Sequence, residues 1–265
     1  MSMVFIGLIC PSKNNREMWK LKKEVGSLIL KAVKERKEAE SENDLLQMIL
    51  EGANEVRPHS IDSFIVDNCK NIYFAGHETT ATTASWILML LASHLEWQNR
   101  VRDEVIEVCG GSLPDFDMLR KMRTLTMVIQ EALRLYPPAP LVTRSALRST
   151  KLGELNIPKG VNLWIPIIIL HQDPEIWGPE ANKFNPHRFS HGIGKACKFP
   201  QVYLPFGTAP RTCVGQNFAM VELKILVSVI LSKFSFTLSS TYKHSPAFHL
   251  VIEPNHGVYL LMKKL

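Results

Sequence analysis

Hydrophobic positions recur at helical spacing over the first half of the chain, then give way to shorter strand-like runs after Tyr136. From Asn14 to Glu40, Trp19, Leu21, Val25, Leu28, Leu30 and Val33 share one apolar face among lysines and glutamates, which predicts an amphipathic helix. A charged break, Glu38 to Asp44, leads into a short amphipathic helix from Leu45 to about Ala53. The longest helical stretch runs from Ser60 to His94. Ser60 and Asp62 suit its start, and Ile61, Phe64, Ile65, Cys69 and Ile72 keep the period. Such a helix reaches roughly 50 Å, the width of a whole domain. From Ile87 to Leu95 it is apolar on nearly all sides, as a helix buried at the centre of a domain should be. Glu96 to Val108, stopped by Gly110-Gly111, and Met118 to Tyr136 complete the helical half.

Pro137-Pro138-Ala139-Pro140 forces extended chain into Leu141-Val142-Thr143-Arg144. Pro158-Lys159-Gly160 predicts a turn between strands at Leu152–Ile157 and Val161–Ile167. A strongly apolar helix follows from Gln216 to Phe236, expected to lie against the central helix. Thr241 to Leu265 reads as a hairpin turned at Pro254-Asn255-His256-Gly257. No repeat or low-complexity linker breaks the chain, so one domain over residues 1–265 is expected.

Composition narrows the class. With 265 residues, 46% hydrophobic and 21% charged, the chain has an ordinary globular balance. The net charge of +6 is diluted, with clusters only at Lys20–Lys23 and Lys31–Lys37, and no basic stripe with interleaved aromatics argues for nucleic acid. A weakly basic face suits an acidic redox partner or anionic lipid better. Five cysteines at irregular spacing give no disulfide framework or zinc pattern, which favours a reducing, cytosol-facing setting. The apolar runs Met3–Cys10 and Leu163–Leu170 are too short to span a bilayer, so no anchor is expected in this chain.

The candidate chemistry centres on Phe206-Gly207-Thr208-Ala209-Pro210-Arg211-Thr212-Cys213-Val214-Gly215. Gly207 and Gly215 can take backbone angles closed to other residues, which lets the loop pass close to a flat partner. Cys213 lies at a helix N-terminus, where backbone N–H groups and the helix dipole favour a thiolate, with Arg211 two residues away. A thiolate so placed is what an axial haem ligand requires. Taken as a bare Cys-x-Gly, the same residues describe a buried structural cysteine beside a glycine turn.

The longer pattern decides between these. Phe206, Arg211, Cys213 and Gly215 resemble the haem-binding signature Phe-x-x-Gly-x-Arg-x-Cys-x-Gly of the cytochrome P-450 monooxygenases. The departure is Ala209, where the family has glycine; a positive φ there brings strain of about 1 kcal/mol. In the central helix, Ala75-Gly76-His77-Glu78-Thr79-Thr80 resembles the family's oxygen-binding motif. Glycine and two β-branched threonines weaken a helix, and Thr79 can bond the Ala75 carbonyl, so a bend or opening is expected. By resemblance Ala75 and Gly76 leave a groove for dioxygen, Thr79 holds it or its water, and Glu78 belongs to the proton path. His77 is expected to face solvent or the groove rather than ligate.

Glu131 and Arg134, three apart on one helical face, can pair. With the following Leu135-Tyr136-Pro137-Pro138 and with Phe184-Asn185-Pro186-His187-Arg188-Phe189, they resemble the family's Glu-x-x-Arg helix and Pro-x-Arg-Phe segment. The resemblance implies a structural triad of Glu131, Arg134 and Arg188 bracing the cysteine loop, with His187 where the family has glutamate. Arg144, ten positions beyond Arg134, and Arg211 are expected to hold haem propionates, a task suited to guanidinium geometry.

The resemblance runs from about Arg16 to the C-terminus, while Met1–Cys10 fits the family poorly. It implies the mainly α, minor β fold of the C-terminal, haem-binding part of a cytochrome P-450, without the N-terminal half and its anchor. Tyr242-Lys243-His244-Ser245-Pro246-Ala247-Phe248 and the Leu163–Trp177 stretch look like the plant clan that oxidises isoprenoid hormones, with the gibberellin-oxidase branch nearest. The implied cofactor is haem b bound through Cys213, with electrons from NADPH through a cytochrome P-450 reductase. The implied reaction inserts one oxygen atom from O2 into a small apolar terpenoid. The full-length protein is expected on the cytosolic face of the endoplasmic reticulum membrane. The competing reading is a truncated, inactive fragment, or a module that binds haem or a partner without turnover.

Overall fold

A computed structural model describes residues 12–38, 44–57 and 60–265. Met1–Cys10 and most of the charged break after Glu38 lie outside the described residues. The fold is mainly helical with small antiparallel two-stranded sheets. Contacts divide the chain into two compact units, Met1–Ala75 and Gly76–Leu265, the division falling inside the central helix.

In the first unit, α1 (Lys13–Glu38) and α2 (Leu45–Ala53) accompany the front part of α3 (Ile61–Ser93). Asp44 caps α2 by accepting from the Gln47 N–H at 3.0 Å, and it takes a second bond from Arg36 at 2.7 Å. Val33, Ala53 and Ile65 are buried at the centre, with Ile29, Leu50 and Phe64 around them. Only the end of the predicted apolar face on α1 is covered: Val33 is buried, while Trp19, Leu21, Val25 and Leu28 are exposed.

The second unit holds the large core. Trp86, Ile87 and Leu91 at the back of α3 are fully buried, as the all-round apolar pattern predicts. Around them pack α4 (Leu95–Cys109), α5 (Phe116–Lys121), α6 (Arg123–Leu135) and α9 (Gln216–Lys233). Met118–Tyr136 is thus not one helix: Met122, at φ −72° and ψ 81°, leaves helical geometry and is buried. The break is stabilised by Glu104, whose carboxylate accepts from the Thr124 and Leu125 N–H groups at 2.7 and 2.9 Å. α9 packs chiefly against α4, rather than against the central helix as expected, and it stops at Lys233. Phe234–Leu238 is instead a strand, β5, held by buried Gln98 and Arg102 of α4. Gln98 donates to the Phe236 carbonyl at 2.8 Å and accepts from its N–H at 3.1 Å, while Arg102 donates to the Leu231 and Phe234 carbonyls.

The strand register also differs from the sequence pattern. Thr150–Leu152 (β2) and Leu155–Ile157 (β3) form their own hairpin about Gly153-Glu154. β1 (Val142–Ser145) pairs with β4 (Asn162–Ile165), and Ile167–Gln172 is a helix, α7, followed by the single turn α8 (Pro174–Trp177). In the tail, β6 (Pro246–Phe248) pairs with β7 (Ile252–Pro254), while β8 (Leu260–Lys264) returns to β5. Pro254–Gly257 is a turn, but it links two sheets instead of closing one hairpin.

Candidate active site

Helix α6 carries a carboxylate and a guanidinium three residues apart into the interior, where both are fully buried. Arg134 Nε and Nη2 each donate to a Glu131 carboxylate oxygen at 2.7 Å. Nη1 donates to the carbonyls of His171, at 2.7 Å, and of Ala181, while Nη2 also reaches that of Lys183 at 3.2 Å. All five guanidinium N–H groups therefore have an acceptor, which is the condition for carrying such a pair into the interior. Glu131 also accepts from the Asn185 N–H at 2.8 Å, and Arg188 Nε lies 3.5 Å from it. Arg188 donates from Nη1 to the Trp177 carbonyl at 2.8 Å and from Nη2 to that of Glu180. The structure thus brings Glu131, Arg134 and Arg188 together. His187 contributes differently: its Nε2 accepts from Arg100 at 2.9 Å, outside the buried pair.

The same centre reaches the cysteine loop through two aromatic residues. Tyr203 donates to the Gln130 carbonyl at 2.8 Å. Burial, aided by the Glu131 charge, pushes its phenol well above the ordinary range, so it stays protonated as a donor. His171 is completely buried, with Nδ1 3.2 Å from the Arg134 carbonyl and Nε2 2.8 Å from the Leu204 N–H. Burial lowers its pKa from 6.5 to about 4, so the ring is neutral. Nε2 must then be the acceptor and Nδ1 the donor.

From Leu204 the loop is closed by its own backbone. Gly207 N–H donates to the Leu204 carbonyl at 3.0 Å, and Cys213 N–H to the Phe206 carbonyl at 2.8 Å. Phe206 packs against the large core. Gly207 adopts φ 70°, and a Cβ there would lie 3.3 Å from the Arg211 carbonyl oxygen. Gly215 does not need a special φ, since it caps α9 at φ −86°. Its bare Cα leaves room beside the thiol, with a Cβ position 3.9 Å from Cys213 Sγ. Ala209 does adopt the left-handed region at φ 58°, alone among the described non-glycine residues. Cys213 and Arg211 are exposed at the loop surface.

The central-helix motif lies on a different element. α3 runs through Ala75–Thr80 as unbroken α-helix, so the expected opening of the ladder does not occur. Ala75, Gly76 and His77 are exposed, Glu78 and Thr79 half-buried, and Thr80 buried. No atom lies within 4 Å of a Cβ placed on Gly76, so that face of the helix is open. The Thr79 carbonyl accepts the Thr83 hydroxyl at 2.8 Å. Arg144 is half-buried on β1, its Nη1 on the Thr143 carbonyl at 2.9 Å.

The sequence pattern places His171 only within an irregular stretch that resembles the family, and marks no role for Tyr203, Gln98 or Arg102. Gln98 and Arg102 left a signal, because with Val101 and Val105 they complete the buried stripe of α4. His171 left less: it closes an apolar run, and nothing local marks its ring as buried.

Among the described residues no group of three or more His, Cys, Asp or Glu could hold a bare metal ion. A lone exposed thiol can serve only a metal that brings its other ligands with it. An iron porphyrin is such a group: one protein thiolate could hold its iron, and cations would suit its carboxylates. Cys213, with Arg211 beside it and Gly207 and Gly215 keeping side chains away, fits that demand. A mainly helical fold with one loop cysteine of this kind fits the class of haem–thiolate proteins. The cytochrome P450 family model matches residues 1–262, and the chain belongs to that family. The match extends the likeness past Arg16 to the first residue, including the segment that fits the sequence pattern poorly.

The chain is 55% identical over 260 residues to cytochrome P450 714C2 of Oryza sativa subsp. japonica, covering 96% of this chain and 50% of that protein. It is 54% identical over 249 residues to cytochrome P450 714A2 of Arabidopsis thaliana, covering 91% and 47%. With cytochrome P450 714B3 of Zea mays it shares 54% identity over 259 residues, covering 96% and 47%. The chain spans about half the length of these relatives. No helix among the described residues is long and apolar enough to cross a membrane.

Proposed function

We propose that this chain is the haem-bearing part of a plant monooxygenase that inserts one oxygen atom from O2 into an apolar terpenoid-type substrate. The observation that carries the reading is the exposed Cys213 thiol in a loop closed on Phe206 and tied to the buried Glu131–Arg134 pair. Haem b bound through one thiolate supplies the activation of dioxygen and its transfer to an unactivated carbon. The protein's residues do the rest. Cys213 ligates, and Phe206, Gly207 and Gly215 shape the loop around the ligand. Arg211 and Arg144 hold the propionates through charge-assisted hydrogen bonds. Ala75 and Gly76 would offer an open helix face to dioxygen. The Thr79 hydroxyl would hold and relay a proton, and the half-buried Glu78 would connect it to solvent.

Electrons come from NADPH through a cytochrome P-450 reductase docked on a weakly basic surface, with the full-length protein held at the cytosolic face of the endoplasmic reticulum. The terpenoid class, a gibberellin or related hormone, rests on the likeness of Tyr242–Phe248 and Leu163–Trp177 to plant isoprenoid-hormone oxidases. A second reading has its own support. Val214 beside the thiol is fully exposed and Phe218 is 71% exposed, as in a module that binds haem or a partner without a closed substrate pocket.

The test is the absorption spectrum of the haem-reconstituted chain, reduced under carbon monoxide, beside Cys213→Ala. A red-shifted Soret band that vanishes in the variant supports thiolate ligation, and terpenoid turnover with the reductase then separates the two readings. A spectrum unchanged by the substitution refutes Cys213 as the ligand.

A further inference from the structure

Four atoms connect the buried ion pair to the start of the cysteine loop. The Arg134 carbonyl, the two ring nitrogens of His171 and the Leu204 N–H form one hydrogen-bonded line, with spacings of 3.2 and 2.8 Å. The ring is sandwiched rather than free to turn. It stacks on Tyr203 at 5.3 Å between centroids and 25° between planes, and meets Trp177 edge-on at 6.3 Å. Its own backbone carbonyl is one of the acceptors of Arg134, so residue 171 is held from both ends of the side chain. On the loop side, the next hydrogen bonds are Gly207 N–H to the Leu204 carbonyl and Cys213 N–H to the Phe206 carbonyl. The covalent path from Leu204 to Phe206 is only two peptide units.

We propose that His171 is the positioning residue that sets the height and orientation of the Cys213 loop, by transmitting the fixed geometry of the Glu131–Arg134 pair to the Leu204 backbone. The ring can do this because its two nitrogens serve opposite roles: Nδ1 donates to Arg134 and Nε2 accepts from Leu204. A side chain with only one of these contacts holds one side and releases the other. Tyr203 supports the ring and ties the adjacent backbone to Gln130, but its bond does not reach the loop side of Leu204. The role rests on the haem–thiolate reading for its purpose, while the mechanical link can be measured without haem.

Two substitutions separate the two bonds. In His171→Gln the amide oxygen can take the place of Nε2 and keep the Leu204 contact. In His171→Asn the shorter amide reaches only the position of Nδ1 and keeps the Arg134 contact. Three readouts on the full chain are informative: amide exchange at Leu204 and Cys213, the alkylation rate of Cys213 relative to Cys197, and the fraction of red-shifted Soret band after haem loading. The expected result is a graded response. His171→Asn, which releases Leu204 itself, gives about tenfold faster exchange at Leu204 and Cys213, faster Cys213 alkylation and a smaller red-shifted fraction. His171→Gln, which keeps the Leu204 bond but loses its anchor on Arg134, moves the same readouts in the same direction by less. A purely structural histidine would give equal stability losses in both variants and unchanged ratios of Cys213 to Cys197 reactivity, and that outcome overturns the proposal.

Amide exchange on the unsubstituted chain provides a test that needs no variant to fold. Leu204 must be protected to the same degree as Cys213, and rapid exchange at Leu204 alone also overturns the link. If exchange and alkylation respond as expected but no variant, nor the parent, gives the red-shifted band, the haem reading fails and the coupling stands.

Discussion

Ala209 offers the sharpest test of how the cysteine loop stores strain. Its φ of 58° places a Cβ where L-residues crowd the following carbonyl, at about 1–2 kcal/mol. Ala209→Gly removes that crowding. It also frees the unfolded chain, which costs about 0.4–1 kcal/mol in conformational entropy. No burial is lost, because Ala209 is exposed. The difference favours the variant by about 0.5–1 kcal/mol, or roughly 1–3 °C in Tm for a chain of this size. Two controls fix the interpretation. Ala209→Val adds β-branching at the same φ and should fall below the parent by more than Ala209→Gly rises. Gly207→Ala, at φ 70° with a Cβ 3.3 Å from the Arg211 carbonyl oxygen, should fall too. Thermal unfolding by circular dichroism reads all three. A Tm for Ala209→Gly at or below the parent, or Ala209→Val equal to it, would show that the left-handed conformation is not strained and that the reasoning is wrong.

Two other substitutions probe the buried centre. Glu131→Gln removes the charge facing Arg134 and leaves a guanidinium buried without a counter-ion, so stability should drop by about 3–5 kcal/mol in urea unfolding at neutral pH; a loss under about 1 kcal/mol would mean the pair opens to water. His171 predicts the pH dependence. Its folded pKa of about 4 lies below the 6.5 of the free side chain, so the unfolded chain gains the proton first as pH falls. Stability is therefore complete above pH 6.5 and declines between 6.5 and about 4, reaching about 3 kcal/mol in all. The groups around the ring are Arg134, with Glu131 behind it, Tyr203 and Trp177. Tyr203, its phenol pushed up by burial, stays protonated across this window and does not titrate with the ring. Comparing the parent with His171→Gln cancels the other groups, and the two curves should separate by about 2 kcal/mol at pH 5; parallel curves would place the ring in water.

The helices were legible because periodicity is a local property. Their ends and partners were not. Met122 interrupts α5 and α6 through a carboxylate nearly twenty residues earlier, and nothing in Lys121-Met122-Arg123 announces it. Phe234–Leu238 continues an apolar helix in sequence, yet buried Gln98 and its β8 partner draw it into a strand. The short strands failed in the same way. Gly153 and Pro158-Lys159-Gly160 are both adequate turns, and only the pairing of Val142–Ser145 with Asn162–Ile165 decides which one closes a hairpin.

The site shows the same division more sharply, and the reason is chemical. Glu131 and Arg134 were readable as a pair, but an (i, i+3) pair has the same spacing on a wet face as in a core. What makes this one a structural centre is a set of carbonyls from residues 171, 181 and 183, and carbonyls have no side-chain signature. The stretch from His171 to Cys213 holds only short helical turns and no strand, so many of its backbone groups are not satisfied within a long helix or a sheet. They turn instead to Arg134, Glu131 and Arg188, and through His171 the loop of Cys213 is fastened to the same residues. Irregular chain that must hold one thiol steady needs an internal charge to organise it. That requirement explains why the buried ion pair and the exposed cysteine, almost eighty residues apart, belong to a single device.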